Sequence, residues 1–417
     1  AELDRDVLEK HRINQDTVHT VGSSLAGYSG LLDNSLSLSW GLDIYGDQVN
    51  SSRRDAEAPG FDFVEKDRGN FSDDSTYSRA GIYLRGEYNL LDFDAHDFFV
   101  NGGARLERFG AHAPDVHDEI GDVSYSFIGP VGTAGIKYLY STNLNAYFNW
   151  SQGFRAPNLQ ESTVLGNTGN FFEIPNDSLG PERSNTFEIG AKLDFPMLGR
   201  LETSAYASLI SDKITREEAT WNGDSEIEGA PVRRRINADT AYYTGVDVSL
   251  QTAPIVGISA FGFVSAIDGA VESSNPDATF EPGPLHDLLA SGENYSNPRR
   301  LPPLMYKAGL EYSPSKTWGL RFFALGAAAQ TKLGPGDVDD LRICEAESGV
   351  LVSEAGGECS GTDGWLTLNL RGTYKPWEFA RFDVSAENLT NNCYKYHGSA
   401  PPAPGVNGKV MMTLLTP

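Results

Sequence analysis

The feature that most constrains this chain is an alternation of period two, apolar against small or charged, that recurs from segment to segment. Leu36, Leu38, Trp40, Leu42 and Ile44 alternate with Ser37, Ser39, Gly41, Asp43 and Tyr45. Ile82, Leu84, Gly86 and Tyr88 are set against Tyr83, Arg85, Glu87 and Asn89, and Val100, Gly102, Ala104 and Leu106 against Asn101, Gly103, Arg105 and Glu107. Near the end Phe382, Val384 and Ala386 alternate with Asp383, Ser385 and Glu387. Successive side chains on a strand point to opposite faces, so each run reads as an amphipathic strand, and about 15 can be traced.

The connections alternate as well. Short turns fall at Asp92 to His96 and near Ser141, Met197, Pro254, Ser315 and Pro376. Long polar loops fall at Ser51 to Thr76, Asn158 to Pro181, Glu217 to Arg235, Glu272 to Arg300 and Gly334 to Asp363. A soluble sandwich packs a dry core and does not keep one strictly charged face over so many strands. A transmembrane barrel does: its apolar face meets lipid, its polar face lines the lumen, and short turns and long loops lie at opposite ends. The pattern predicts an all-β, transmembrane antiparallel β-barrel forming a single unit over 1–417. Trp40, Tyr88, Tyr138, Trp150, Tyr242 and Tyr312 suit its aromatic girdles.

Composition agrees. Among 417 residues there are 44 Gly, 18 Tyr and 21 Phe but 4 Met, a balance that favours strands and turns over helices. No apolar run reaches the roughly 18 residues of a membrane-crossing helix. The net charge of -24 argues against nucleic acid as a partner, because neutralising phosphates needs a basic patch. Ala1 to Asn14 is charged and lacks the apolar core of a secretory signal. No GxSxG or other nucleophile context occurs, so no enzyme is expected. Cys344 and Cys359 bracket a Gly- and Glu-rich segment, a placement compatible with a local disulfide in an oxidising compartment; Cys393 is left over as an inert thiol.

The longest motif-bearing stretch is Gly153 to Gly190. Its run Phe154-Arg155-Ala156-Pro157-Asn158-Leu159, followed by Asn176-Asp177-Ser178-Leu179-Gly180-Pro181-Glu182, resembles the FRAP and NPNL boxes of TonB-dependent outer-membrane receptors. Glu387-Asn388-Leu389-Thr390-Asn391, with His397-Gly398-Ser399 and Pro404-Gly405, resembles the penultimate hairpin of that family. The resemblance implies a Gram-negative outer-membrane barrel of about 22 strands, filled by a plug and importing scarce nutrients with energy relayed by TonB. It implies that this chain holds the C-terminal strands, that residues 1–14 end an extracellular loop, and that the plug, the TonB box and roughly seven strands lie elsewhere. A second chain or another segment of the same gene product would supply them, since open edges in lipid are forbidden. The end Leu414-Leu415-Thr416-Pro417 lacks the family's usual terminal aromatic.

By the same resemblance the cargo is an iron-siderophore complex, taken without a resident cofactor or metal. Haem is disfavoured, because haem-transporting members carry a His between the boxes and none lies between Phe154 and Glu182. Arg155 reads as a contact to a ligand or to the plug, Asn158 as a ligand contact, and Phe171 and Phe172 as a lid over a chelate. The alternatives are that Arg155 satisfies loop carbonyls and carboxylates, and that the Phe pair packs the loop. Asp337 to Asp340 and Glu345 to Glu358 read as solvated acidic loop, His397 as a structural residue, and Arg233-Arg234-Arg235 as locally paired or touching lipid phosphate. Outer-membrane lipid and lipopolysaccharide are the expected surroundings. A plugless or split barrel serving as a structural part of a larger envelope assembly is the rival reading.

Overall fold

The computed structural model describes residues 10–57, 62–66, 69–117, 120–168, 171–227, 229–272, 280, 282–290, 294–338, 340–344, 358–399 and 401–414. The chain starts with β1 (Lys10–Leu31), β2 (Leu36–Glu57), β3 (Val64–Lys66), β4 (Ser75–Phe93), β5 (His96–Ala113), β6 (Val123–Tyr140) and β7 (Leu144–Arg155). A long loop then carries α1 (Leu159–Thr163), β8 (Gly166–Asn167) and β9 (Phe172–Ile174) before β10 (Glu182–Phe195), β11 (Gly199–Glu218), β12 (Glu226–Ile227), β13 (Ala230–Thr252) and β14 (Ile258–Glu272). After α2 (His286–Leu289) and β15 (Tyr295–Ser296) come β16 (Met305–Tyr312), β17 (Trp318–Ala327), α3 (Pro335–Val338), β18 (Trp365–Trp377), β19 (Ala380–Glu387) and β20 (Asn407–Leu414).

Among the described residues these form one 20-stranded sheet. Five strands, β3, β8, β9, β12 and β15, are two or three residues long and belong to loops; the others make the wall. Each wall strand pairs antiparallel with the next one in sequence, from β1 with β2 to β19 with β20. Local pairing of this kind needs only tight turns at one end. In the turn between β10 and β11, Gly199 has φ +119, and a Cβ there would run into the Gln251 carbonyl oxygen, so glycine alone fits. No pairing among the described residues joins β20 to β1, and the sheet has two open edges.

The two faces differ as the alternation requires. Ile82 (58% exposed), Ile189 (62%) and Val410 (77%) project from the wall. Leaving each such side chain in water would cost roughly 1.5–3 kcal/mol, so the face calls for lipid. Phe93, Tyr140, Phe195, Trp318 and Phe379 are exposed at the short-turn end, forming an aromatic girdle. The opposite face carries ion pairs from strand to strand. Arg105 reaches Asp43 at 3.0 Å and Glu107 at 2.7 Å, Lys137 reaches Glu87 at 3.0 Å, and Lys409 reaches Glu387 at 2.7 Å.

Several strands run further than their apolar pattern. β2 extends to Glu57, β11 to Glu218 and β13 back to Ala230, into stretches expected to be loop, and β1 begins at Lys10. Beyond the lipid the outward face is no longer required to be apolar, so the alternation stops although the ladder continues, and Ala56 (1% exposed) and Val232 (1%) are covered by loops. Tyr242, expected in a girdle, is instead 2% exposed beneath a loop.

Candidate functional site

At the long-loop end the two boxes fold together. Asn158 caps α1, with the Glu161 N–H donating to its Oδ1 at 2.8 Å and its own N–H donating to Glu161 Oε2 at 3.0 Å, a reciprocal capping box. The helix sits at the barrel mouth, where Leu159 packs with Val49, Ala111, Ala113, Val116 and Val123. Ala156 and Pro157 are buried, and the Tyr125 hydroxyl donates to the Pro157 carbonyl at 2.8 Å. In the second box Asn176 Nδ2 donates to the Arg235 carbonyl at 2.7 Å, Leu179 is buried, and the Gly180 N–H donates to Asn237 Oδ1 at 2.6 Å next to Pro181.

Charges link the boxes in a chain. Arg155 bridges Glu182 (2.6 Å) and Glu161 (2.8 Å); Arg235 bridges Glu161 (3.7 Å) and Glu173 (2.9 Å); Arg216 reaches Glu173 at 2.7 Å. Glu173 is 1% exposed. It is held by β9, which pairs with β8 and lies parallel to Val232–Arg234 of β13. Thr168 Oγ1 also donates to it at 2.9 Å. Phe171 has two guanidinium groups near its ring, Arg216 at 5.9 Å and Arg233 at 5.6 Å from the ring centre, whereas Phe172 is a half-buried strand residue. Arg155 and Asn158 are thus engaged by carboxylate and cap, and Phe171 stands among cations that the sequence reading left out of the site. The Arg233-Arg234-Arg235 run pairs with Glu218 (2.9 Å), Glu217 (2.6 Å) and Glu173 in turn.

Burial alone would raise the pKa of Glu173, but the Arg216 hydrogen bond, the Arg235 and Arg216 charges and Thr168 outweigh it and hold the carboxyl below its ordinary value. The stabilisation is therefore complete above the unfolded value of about 4.3 and is lost as pH falls through the lowered one. Hydrogen exchange of residues 171–176, corrected for intrinsic rates, is expected to be flat from about pH 7 to 5 and to accelerate only under stronger acid, a step that Glu173→Gln should abolish.

A second loop cluster gathers residues 297–300, 334–338, 340–343 and 395–398. Asp340 accepts from Arg299 (2.9 Å), Arg300 (2.9 Å) and Arg342 (2.7 Å). Asp337, 0% exposed, accepts from the N–H groups of Gly334 and Arg300, both at 3.0 Å. These two aspartates are buried and paired and do not form the solvated loop expected, because Arg299 and Arg300, 41 and 40 residues from Asp340, converge there with Arg342; Asp339 and residues 345–357 lie outside the described residues. His397 is buried, with Nδ1 at 2.9 Å from Thr362 Oγ1. A disulfide joins Cys344 to Cys359, with Cα atoms 5.4 Å apart, and Cys393 is a free thiol. Asn388, at φ 53, has its N–H on Asn369 Oδ1 and donates from Nδ2 to the Asn392 and Pro404 carbonyls; Leu389 beside it is exposed. The sequence reading also missed an aromatic cluster in which His286 contacts Tyr242, Phe280 and Tyr295, with its Nδ1 2.8 Å from the Tyr242 hydroxyl. Three segments supply it, so no local motif marks it.

An amphipathic antiparallel wall with an apolar outer belt, a charged inner face and all long loops folded at one end defines an outer-membrane β-barrel. A family model, TonB dependent receptor-like, beta-barrel, matches residues 7–389, and the chain belongs to that family. Its members are transporters of the Gram-negative outer membrane, not enzymes, and interact with TonB. Among solved structures, the copper transporter OprC is 16% identical at TM-score 0.72, covering 97% of this chain and 57% of that one. The FrpB iron transporter from Neisseria meningitidis (F3-3 variant) is 14% identical at 0.65, covering 96% and 55%. The ferric yersiniabactin uptake receptor FyuA from Yersinia pestis is 12% identical at 0.60, covering 98% and 56%. The chain spans a little over half the length of these structures, and at such identities the likeness is one of fold. No curated protein matches.

Proposed function

We propose that this chain supplies most of the wall and the outer loops of a receptor that imports an iron-siderophore complex. The observation that carries the reading is the Phe171 ring at the long-loop end with the Arg216 and Arg233 guanidinium groups near it, an aromatic surface bordered by glutamate-paired arginines and suited to a chelate with planar rings. The iron and ferric-chelate transporters among its structural neighbours support the same cargo class. Arg155 and Asn158 act in this reading as supports that hold the loop, and Phe171 as the contact, with Phe172 behind it. In this reading the two open edges of the described sheet are paired by further strands, because unpaired backbone groups are not tolerated in lipid.

The test is binding and uptake of ferric catecholate, hydroxamate and citrate chelates by cells expressing the full gene product. One class is expected to bind and to enter only in energised cells, and Phe171→Ala is expected to weaken that binding roughly tenfold, about the loss of one desolvated cation–aromatic surface. Absence of energised uptake for every class, beside normal outer-membrane assembly, would favour the structural barrel instead.

A further inference from the structure

We propose an anion-binding site on the inner face of the wall, across β16, β17, β18 and β20, which holds the carboxylates of an anionic cargo on its way through. The outward residues Leu310, Leu320, Phe322, Leu370 and Val384 are exposed, so by alternation Lys307 and Glu311 of β16, Arg321 and Phe323 of β17, Arg371 of β18, Ser385 and Glu387 of β19 and Lys409 of β20 face the lumen. Register sets several of them at one height. Glu311 is opposite Arg321, Arg321 opposite Arg371, Arg371 opposite Ser385, and Ser385 opposite Lys409. Neighbouring strands lie about 4.8 Å apart, so Arg321 and Arg371 stand side by side as a like-charged cross-strand pair, which by itself is unfavourable.

The carboxylates within reach do not balance this band. Arg321 donates from Nε to Glu311 at 2.9 Å, while Glu387 is shared between Arg371 at 3.1 Å and Lys409 at 2.7 Å. Asp383, nearer the short turns, is held by Arg381 and Thr373, both at 2.8 Å. Lys307 meets no carboxylate among the described residues. Its ammonium lies 4.5 Å from the Phe323 ring centre and 5.9 Å from that of Phe261, and the Arg371 guanidinium is 5.7 Å from the same Phe323 ring. Gly309 separates the two phenylalanines in register. A Cβ there would come within 2.6 Å of Phe323 Cβ and 2.8 Å of Phe261 Cζ, so the missing side chain lets both rings reach the ammonium. The rings attract its charge but leave its N–H donors without an acceptor. Lys307, Arg321, Arg371 and Lys409 thus share two carboxylates, Glu311 and Glu387, and a surface with an excess of one charge concentrates the opposite ion.

Toward the short turns the band borders a hollow of about 370 Å³, lined by Arg321, Arg371, Ser313, Thr317, Thr373 and Asp383. That is the lower end of the range for small-molecule sites, roughly 300–1,000 Å³, and suits one carboxylate-bearing arm of a cargo. Guanidinium forks match carboxylates two bonds at a time, and the hydroxyls can donate to the remaining oxygens. Lys307 stands further from the short turn than Glu311 on the same strand, so an anion descending from the long-loop end meets it first. The inference rests on the import reading for the identity of its ligand and narrows the cargo to chelates that carry free negative charge.

The experiment is isothermal titration of the full gene product in detergent, at constant ionic strength, with the metal-free tricarboxylate tricarballylate and with its uncharged triamide. The tricarboxylate is expected to bind about tenfold more tightly than the triamide or better. Lys307→Met, which breaks no ion pair among the described residues, is expected to lower that affinity about tenfold, the worth of one charge-assisted hydrogen bond, and Lys307→Arg to keep most of it. Heat-modifiable gel migration reports whether each variant is folded, and the two-probe comparison on the unaltered protein decides should Lys307→Met not fold. In cells, Lys307→Met is expected to bind an imported chelate at the surface with unchanged affinity and to take it up about threefold more slowly. Equal binding of the two probes, as when a carboxylate of another segment already sits on the band, or unchanged affinity of the folded Lys307→Met protein would overturn the site. Unchanged uptake by that variant would overturn its part in passage. Should no chelate enter energised cells, the import reading fails while the titration still decides the site.

Discussion

Replacing Glu173 with alanine is expected to release the loop between the boxes while leaving the wall intact. The carboxylate is 1% exposed and takes Arg216 Nε and Nη2 at 3.0 and 2.7 Å on one oxygen and Arg235 Nε at 2.9 Å on the other. Removing it leaves two guanidinium groups facing an apolar gap, and losing one partner of a buried pair costs about 3–5 kcal/mol. Arg216 and Arg235 are 36% and 18% exposed and can turn partly to water, so a value near 3 kcal/mol is expected. It should appear as a loss of hydrogen-exchange protection over 171–176 and as new protease cleavage there, with the barrel's melting temperature little changed. Protection equal to that of the unaltered protein would show that the backbone pairing of β9 to β13 suffices to hold the loop. Chelate binding should fall with the loop, because Arg216 also fixes one side of Phe171.

Asp340→Ala is expected to act in the same way on the second cluster. One oxygen, Oδ2, accepts from three arginines, and Arg342 Nε adds a bond to Oδ1 at 2.7 Å. Without the carboxylate three like charges are left side by side. The arginines are 40–46% exposed, so screening lowers the loss to about 2–3 kcal/mol. Residues 297–300, 334–338 and 340–343 should exchange faster, and Asp340→Asn, which keeps an acceptor, should show a smaller change. An Asp340→Ala protein with unaltered exchange in both segments would mean that Asp337, with its backbone hydrogen bonds from Gly334 and Arg300, holds the cluster alone.

Much of the wall is legible in the sequence, because a strand's two faces repeat every second residue and each face has one solvent. Leu36 to Ile44 and Ile82 to Tyr88 show it directly, and their register on each other follows the alternation, with Leu42 opposite Ile82. The reading stops where the outward face no longer meets lipid and loops cover part of the strand, as at Ala56 and Val232. Boxes were legible as motifs but not as chemistry. Arg155 stood out, yet its partners Glu161 and Glu182 lie 6 and 27 residues away.

What the sequence by itself determined is the faces, the direction of each hairpin and the end that carries the loops, since period and connection length are local properties of the chain. Only the tertiary structure decided which charges are partners. Glu173 meets Arg216 and Arg235 across 43 and 62 residues, and Asp340 meets Arg299 and Arg300 across 41 and 40. An ion pair depends on distance and burial once the strands have aligned, and neither quantity is encoded in spacing along the chain. The same holds for Gly153 to Gly190, which in sequence is a loop between two strands and in the fold is a charged lattice joining β7, β9, β10, β11 and β13.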